Sequence, residues 1–225
     1  MNDTPSSVLK NIIRSTFGLI VFAIGVSFTI EANIGLSPWE CLSMGISNYV
    51  PLSYGLVHSI TGAIIIVIDL LLKEKIGYGT IFDVLLVGTC VDIVRSLHII
   101  PTSDSLIYNI VLLFIAMTII ALGQYFYISA GLGCGPRDTL RLALGKRFPK
   151  VPIGAVQTAL FLFVLIIGFV LGGPIGLGTI ILVFGCGSVM QVVFNLLHFE
   201  PRDITHQNFI RTTMQLFSCS KVHSN

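Results

Sequence analysis

Polar positions are sparse in this chain, and they punctuate long apolar runs. "GAIIIVIDLLL" and "NIVLLFIAMTIIALG" lack the two-residue alternation of a half-buried strand and the polar face of a surface helix. A membrane-crossing helix needs about 20 mainly apolar residues. Six windows reach that length: 12–32, 54–72, 79–97, 107–130, 154–172 and 178–198. The breaks between them are rich in Gly and Pro. Two breaks read alike, "GLSPWE" at 35–40 and "GCGPRD" at 133–138. Each sets a proline three residues after its first glycine and an acid two residues further on.

The likeness runs well beyond these hexapeptides. An offset of 98 positions carries Gly25 onto Gly123, Ala32 onto Ala130, Pro38 onto Pro136, Glu40 onto Asp138 and Leu42 onto Leu140. One inserted residue makes the offset 99. Gly55 then falls on Gly154, Val57 on Val156, "GYGTI" (77–81) on "GLGTI" (176–180) and Gly88 on Gly187. Such a run is an internal duplication. Each unit holds three spans, and an odd number forces the second unit to enter the membrane upside down. The expected fold is therefore an all-α membrane protein of six transmembrane helices, built as two inverted three-helix repeats over 12–97 and 107–198. A cytoplasmic N-terminus (1–11) and a cytoplasmic tail (199–225) flank them. Pro suits the first turn of a helix. A short helix is thus expected after Pro38 and after Pro136, lying at the interface or dipping in as a re-entrant half-helix.

Charge gives the orientation, because Lys and Arg concentrate on the cytoplasmic side. With the N-terminus inside, twelve of the thirteen Lys and Arg fall on inner segments and only Arg95 on an outer one. Segment 31–53 has no Lys or Arg, whereas its counterpart 131–153 has five. Both termini are expected in the cytoplasm. Composition agrees: 54% of residues are hydrophobic and 11% charged, against roughly a quarter charged in soluble domains. A net charge of +2 gives no support to a nucleic-acid partner.

The breakers also carry a resemblance. "GLSPWE" followed by "GYGT", then "YISAGLGCGPRD" followed by "GGPIGLGT", resembles the YczE/YyaS/YitT group of bacterial integral membrane proteins over roughly residues 15–195. The resemblance implies a bacterial cytoplasmic membrane protein of about six spans, for which transport is the suspected role. Asp83 stands where that group leads one to expect Asn or a small residue, so it receives less functional weight.

An Asp at the centre of a span costs ~2.5–3.5 kcal/mol on insertion scales, so polar residues there are candidates for function. The duplication sharpens the choice. His58 aligns with Gln157, Asp92 with Gln191 and Glu40 with Asp138. Lone polar residues often only join helices; polarity kept at three equivalent positions favours a central site. The candidate solute-binding residues are His58, Asp92, Gln157, Gln191, Glu40, Arg137 and Asp138. Arg95 is spaced to pair with Asp92. His58, Gly62, Ile65 and Asp69 share one helix face, and Ser188, Gln191 and Asn195 share another. Gly168 and Gly172 read as a close-packing GxxxG, "GYGT" and "GLGT" as turns with a Thr cap, and the sole tryptophan, Trp39, as an outer-interface anchor.

Catalytic signatures are absent: there is no H-E-x-x-H, no G-x-S-x-G and no P-loop lysine. Cys41, Cys90, Cys134, Cys186 and Cys219 form no C-x-x-C, and His198, His206 and His223 are scattered. Neither a catalytic site, a metal site nor a cofactor is expected. No ring of like charges or carbonyl filter indicates a channel. The leading expectation is a permease for a small polar or charged solute bound near the midplane. The alternative is a non-transporting membrane partner or regulatory subunit, docking a protein through the cytoplasmic stretch 137–150, "RDTLRLALGKRFPK".

Overall fold

The computed structural model describes residues 5–201 together with Ile204 and Phe209. Cys219, His206, His223 and most of the 199–225 tail lie outside these residues. All regular structure among the described residues is helical. The helices are α1 (Pro5–Glu31), α2 (Pro38–Ser47), α3 (Tyr54–Leu71), α4 (Tyr78–Phe82), α5 (Gly88–Ser96), α6 (Leu106–Ser129), α7 (Pro136–Arg147), α8 (Ile153–Val170) and α9 (Leu177–Leu196).

Five of them are long and apolar enough to cross a membrane: Ser7–Glu31, Tyr54–Leu71, Leu106–Ser129, Ile153–Val170 and Leu177–Leu196. The sixth sequence window, 79–97, differs. It falls on α4, a π-helical turn over Asp83–Val87, and α5. Backbone torsions stay helical at Asp83 and Gly88, where these pieces join. Residues 78–96 thus follow one rod whose hydrogen-bond register widens for a turn.

The surface is inside out relative to a soluble protein. Ile107, Phe184, Leu71 and Val170 are each more than 70% exposed, while Glu40, His58, Asp69 and Asn109 are buried. Apolar side chains face outward because lipid is the solvent. The chain is a membrane protein.

The breakers act locally as their chemistry dictates. Gly35 and Gly133 adopt nearly the same left-handed torsion, φ +112° and +113°, which glycine tolerates without a Cβ penalty. Pro38 and Pro136 then open α2 and α7. Thr80 accepts a hydrogen bond from the Gly77 N–H at 3.3 Å, and Thr179 accepts one from the Gly176 N–H at 3.2 Å. Each Thr caps its turn as expected, but from the third helical position, with Gly77 and Gly176 in the N-cap positions.

These same segments also clasp one another crosswise. The Gly79 N–H donates to the Leu132 carbonyl at 2.9 Å, and the Gly178 N–H donates to the Ile34 carbonyl at 2.7 Å. The loop after α6 therefore holds the start of α4, and the loop after α1 holds the start of α9. A Cβ on Gly133 would lie 2.8 Å from the Gly77 Cα, and one on Gly35 would lie 2.5 Å from the Gly176 nitrogen. Only glycine fits either clasp.

Helix α1 crosses α6 just as closely: a Cβ on Gly18 would meet the Tyr127 nitrogen at 2.5 Å. The short helices pack onto the far half of the chain, α2 against α8 and α7 against α3. Gly168 provides the close packing expected of it, with room for a Cβ only 2.8 Å from the Leu42 nitrogen. Gly172 does not extend that face; it turns the chain after α8 at φ +75°.

Candidate functional site

The first turns of α2 and α7 bring opposite charges together. Glu40 lies in the first turn of α2, and Arg137 follows Pro136 at the start of α7. Arg137 Nη1 stands 3.5 Å from Glu40 Oε1. Its other terminal nitrogen lies 3.1 Å from His58 Nδ1. Arginine only donates, so Nδ1 is the acceptor and the His58 ring carries its hydrogen on Nε2. The guanidinium carbon sits 5.2 Å from the centre of the Trp39 ring, within cation–π range. Three helices thus meet at one half-buried cation.

One turn further along α7 a second polar group forms. Arg141 Nη1 donates to Gln157 Oε1 of α8 at 3.0 Å, and Nη2 pairs with Asp138 Oδ1 at 3.3 Å. Both groups face open space. A cavity of about 440 Å³ is bounded by Glu40, Gln124, Asp138, Arg141 and Gln157, with Leu182 and Gly187 of α9 on its far wall. A smaller cavity of about 180 Å³ shares Glu40, Asp138 and Arg141 and adds Trp39, His58, Asp83 and Arg137. Such a space is suited to binding a small polar or charged molecule by hydrogen bonds and charge.

The sequence candidates divide accordingly. Glu40, His58, Arg137, Asp138 and Gln157 all line these cavities. Asp92 and Gln191 do not. Asp92 Oδ1 accepts the Gly55 N–H at 2.9 Å, and Gln191 donates to Asn195 Oδ1 on the exposed side of α9 at 2.9 Å. Of the aligned polar positions, His58 and Gln157 thus face the cavities, whereas Asp92 and Gln191 each bond elsewhere. Arg95 does not pair with Asp92 either; its Nε donates to Glu31 Oε1 at 2.9 Å, because α5 packs against α1. The stripe His58, Gly62, Ile65 and Asp69 is the buried face of α3, as expected. Trp39, half-buried, packs its ring against the Arg137 guanidinium.

Asp83, Gln124, Tyr127 and Arg141 also line the smaller cavity and were not singled out as candidates. Asp83 carries less weight on the family resemblance, and the other three lack aligned partners of like polarity and size. Their aligned partners are Leu182, Val26, Thr29 and Ser43, because the cavity is lopsided although the sequence is duplicated. A usable signal existed in Arg141, one helical turn beyond Arg137 on the same face. Asp83 opens the π-helical turn, a feature common at functional sites.

No group of three His, Cys, Asp or Glu among the described residues is placed to hold a metal. Cys134, in the turn before α7, has its thiol pushed up to about 11 by burial, with Asp138 adding to the rise. That is the opposite of an activated nucleophile.

Comparisons with known proteins agree with a membrane role and name no activity. An uncharacterized protein of Haemophilus influenzae is 28% identical over 188 residues, 84% of this chain and 85% of its own. The uncharacterized membrane protein YczE of Bacillus subtilis is 30% identical over 185 residues, covering 80% and 85% of the two chains. The uncharacterized protein YyaS of the same organism is 25% identical over 195 residues, covering 83% and 94%. No solved structure matches. Residues 9–195 match a family of unknown function, DUF6198. With that match over most of its length, the chain belongs to the DUF6198 family and is a relative of the YczE and YyaS membrane proteins.

Proposed function

We propose that this protein is a permease that moves a small polar or charged solute across the membrane by alternating access. The observation carrying this reading is the 440 Å³ cavity walled by Glu40, Asp138, Arg141 and Gln157. Charged groups inside a membrane protein are costly and mark solute or ion pathways. A protein serving only as a membrane anchor gains nothing from charge facing open space. In this reading the α4–α5 rod is the sixth span, and the two halves are inverted repeats. The crosswise clasps and the exchange of short helices between halves support that arrangement, which recurs in secondary transporters. The Lys and Arg distribution supports cytoplasmic termini in this reading. The protein binds and passes its solute and makes no bond.

The docking alternative is weakened by what α7 already contacts. Arg137 and Arg141 turn inward, and Lys146 pairs with Glu74 at 2.6 Å. Purified protein is tested first by thermal stability against a panel of small metabolites, because a ligand that binds the folded state stabilises it by mass action. Hits are then followed by uptake into liposomes. Uptake above that of protein-free liposomes, lost in Arg141→Ala, is expected. A ligand that stabilises the protein yet never enters the liposomes overturns transport in favour of a sensing or regulatory role.

A further inference from the structure

Two pairs of glycines, equivalent by the duplication, are found in opposite conditions. Gly55 of α3 and Gly88 at the start of α5 touch backbone to backbone. A Cβ on Gly55 would lie 2.1 Å from the Gly88 carbonyl oxygen, and one on Gly88 would lie 2.2 Å from the Gly55 oxygen. The contact is latched. Gly55 has a first-turn N–H, which its own helix leaves without an acceptor, and Asp92 Oδ1 accepts it at 2.9 Å.

The second half shows the same parts undone. A Cβ on Gly154 of α8 or on Gly187 of α9 would meet nothing within 4 Å. The space between α8 and α9 belongs to the large cavity, whose walls include Gln157 and Phe161 on one side and Gly187 and Met190 on the other. The Gly154 N–H has no hydrogen-bond acceptor among the described residues. Gln191, the counterpart of Asp92, bonds instead to Asn195 of its own helix. The contact between α3 and α5 is closed, and the equivalent one between α8 and α9 is open.

We infer that Gly154 and Gly187 form the second of two gates, closing backbone to backbone as Gly55 and Gly88 do here, with Gln191 taking the latch role of Asp92. This inference rests on the permease reading for its purpose, but its geometry stands apart from any solute. Glycine is required at all four positions for the same reason: a Cβ forbids the closed contact. Asp92 and Gln191 are then positioning residues. Each carries a side-chain oxygen able to accept the first-turn N–H of the facing helix. With the termini inside, the outer gate is shut in this structure and the inner gate is open, so the cavity faces the cytoplasm. The two gates alternate: opening one releases its glycines as the other pair meets.

Spin labels at Thr158→Cys and Asn195→Cys, in a background without native cysteines and reconstituted in lipid nanodiscs, report the α8–α9 gap by pulsed electron paramagnetic resonance. Two distance populations are expected, the shorter corresponding to helices packed at ~8–10 Å between axes. Gly187→Leu meets no neighbour in the open state and is expected to leave only the long distance. Gly55→Leu, which denies the outer contact, and Asp92→Ala, which removes the outer latch without added bulk, are both expected to enrich the short one. A single long distance in the unsubstituted background that neither Gly55→Leu nor Asp92→Ala alters overturns the inference. So does a distance in the singly labelled Asn195→Cys protein, because a second copy then fills the gap. If the distances switch as described while liposomes take up nothing, the gates stand and the permease reading fails.

Discussion

Arg137 donates to His58 Nδ1 at 3.1 Å and stands 3.5 Å from Glu40 Oε1, joining α7, α3 and α2 at one half-buried cation. Glu40 is only 8% exposed. Removing one member of a buried ion pair strands the other without solvent, at a cost of about 3–5 kcal/mol. Arg137→Gln is therefore expected to lower the thermal midpoint of the purified protein sharply. Glu40→Gln with Arg137→Gln removes both charges and is expected to recover most of the loss. A double variant as unstable as Arg137→Gln alone shows that the pair is not the source of the effect.

Asp69 presents the opposite case. It is fully buried, and neither carboxyl oxygen has a hydrogen-bond partner among the described residues. An unsatisfied buried polar group costs ~1–3 kcal/mol, more when charged. Asp69→Asn keeps the shape and cannot ionise. It is expected to raise thermal stability, and a fall in the midpoint would show that the carboxylate is held by an interaction the fold depends on.

The glycines separate by what lies above them. Gly18→Ala pushes a methyl to 2.5 Å from the Tyr127 nitrogen of α6, and overpacking of this kind costs ~1–3 kcal/mol. Gly154→Ala meets nothing within 4 Å and gains helix propensity of up to about 1 kcal/mol. Thermal unfolding in one detergent is expected to show a large drop for the first and no drop for the second. Equal effects would contradict the packing described for α1 and α6.

Topology is tested at two well-exposed sites in a cysteine-free background. Tyr49 is 70% exposed, just after α2, and Lys150 is exposed after α7. An impermeant thiol reagent added to intact cells is expected to modify Tyr49→Cys and spare Lys150→Cys until the cells are opened. Labelling of both, or of Lys150→Cys alone, overturns the inverted arrangement.

The apolar runs and their breakers determined the helices before any packing was known. Apolar length in a lipid solvent leaves the helix as the only way for a short segment to satisfy its own backbone. Gly and Pro then set where each one stops, as at Gly35–Pro38 and Gly133–Pro136. The capping role of Thr80 and Thr179 was legible for the same reason, since both the N–H and the hydroxyl belong to a stretch of four residues. So was the buried stripe of α3, because 3.6-residue periodicity is a local property.

Partnership was not legible, because it depends on which helices meet. Asp92 and Arg95 share a helix face, yet Arg95 goes to Glu31 and Asp92 to the Gly55 backbone. Helical spacing states which side chains can meet within one helix and says nothing of a nearer partner on the next. The duplication predicted matched polar sites in the two halves, whereas the folded chain surrounds its cavity unevenly, using Arg141, Asp83 and Gln124 without polar counterparts of equal size. Equivalent positions in the two halves of the sequence carry glycine, and only the tertiary structure shows that they differ: Gly55 and Gly88 touch backbone to backbone, while a Cβ on Gly154 or Gly187 would meet nothing within 4 Å, because contact depends on which helix lies alongside.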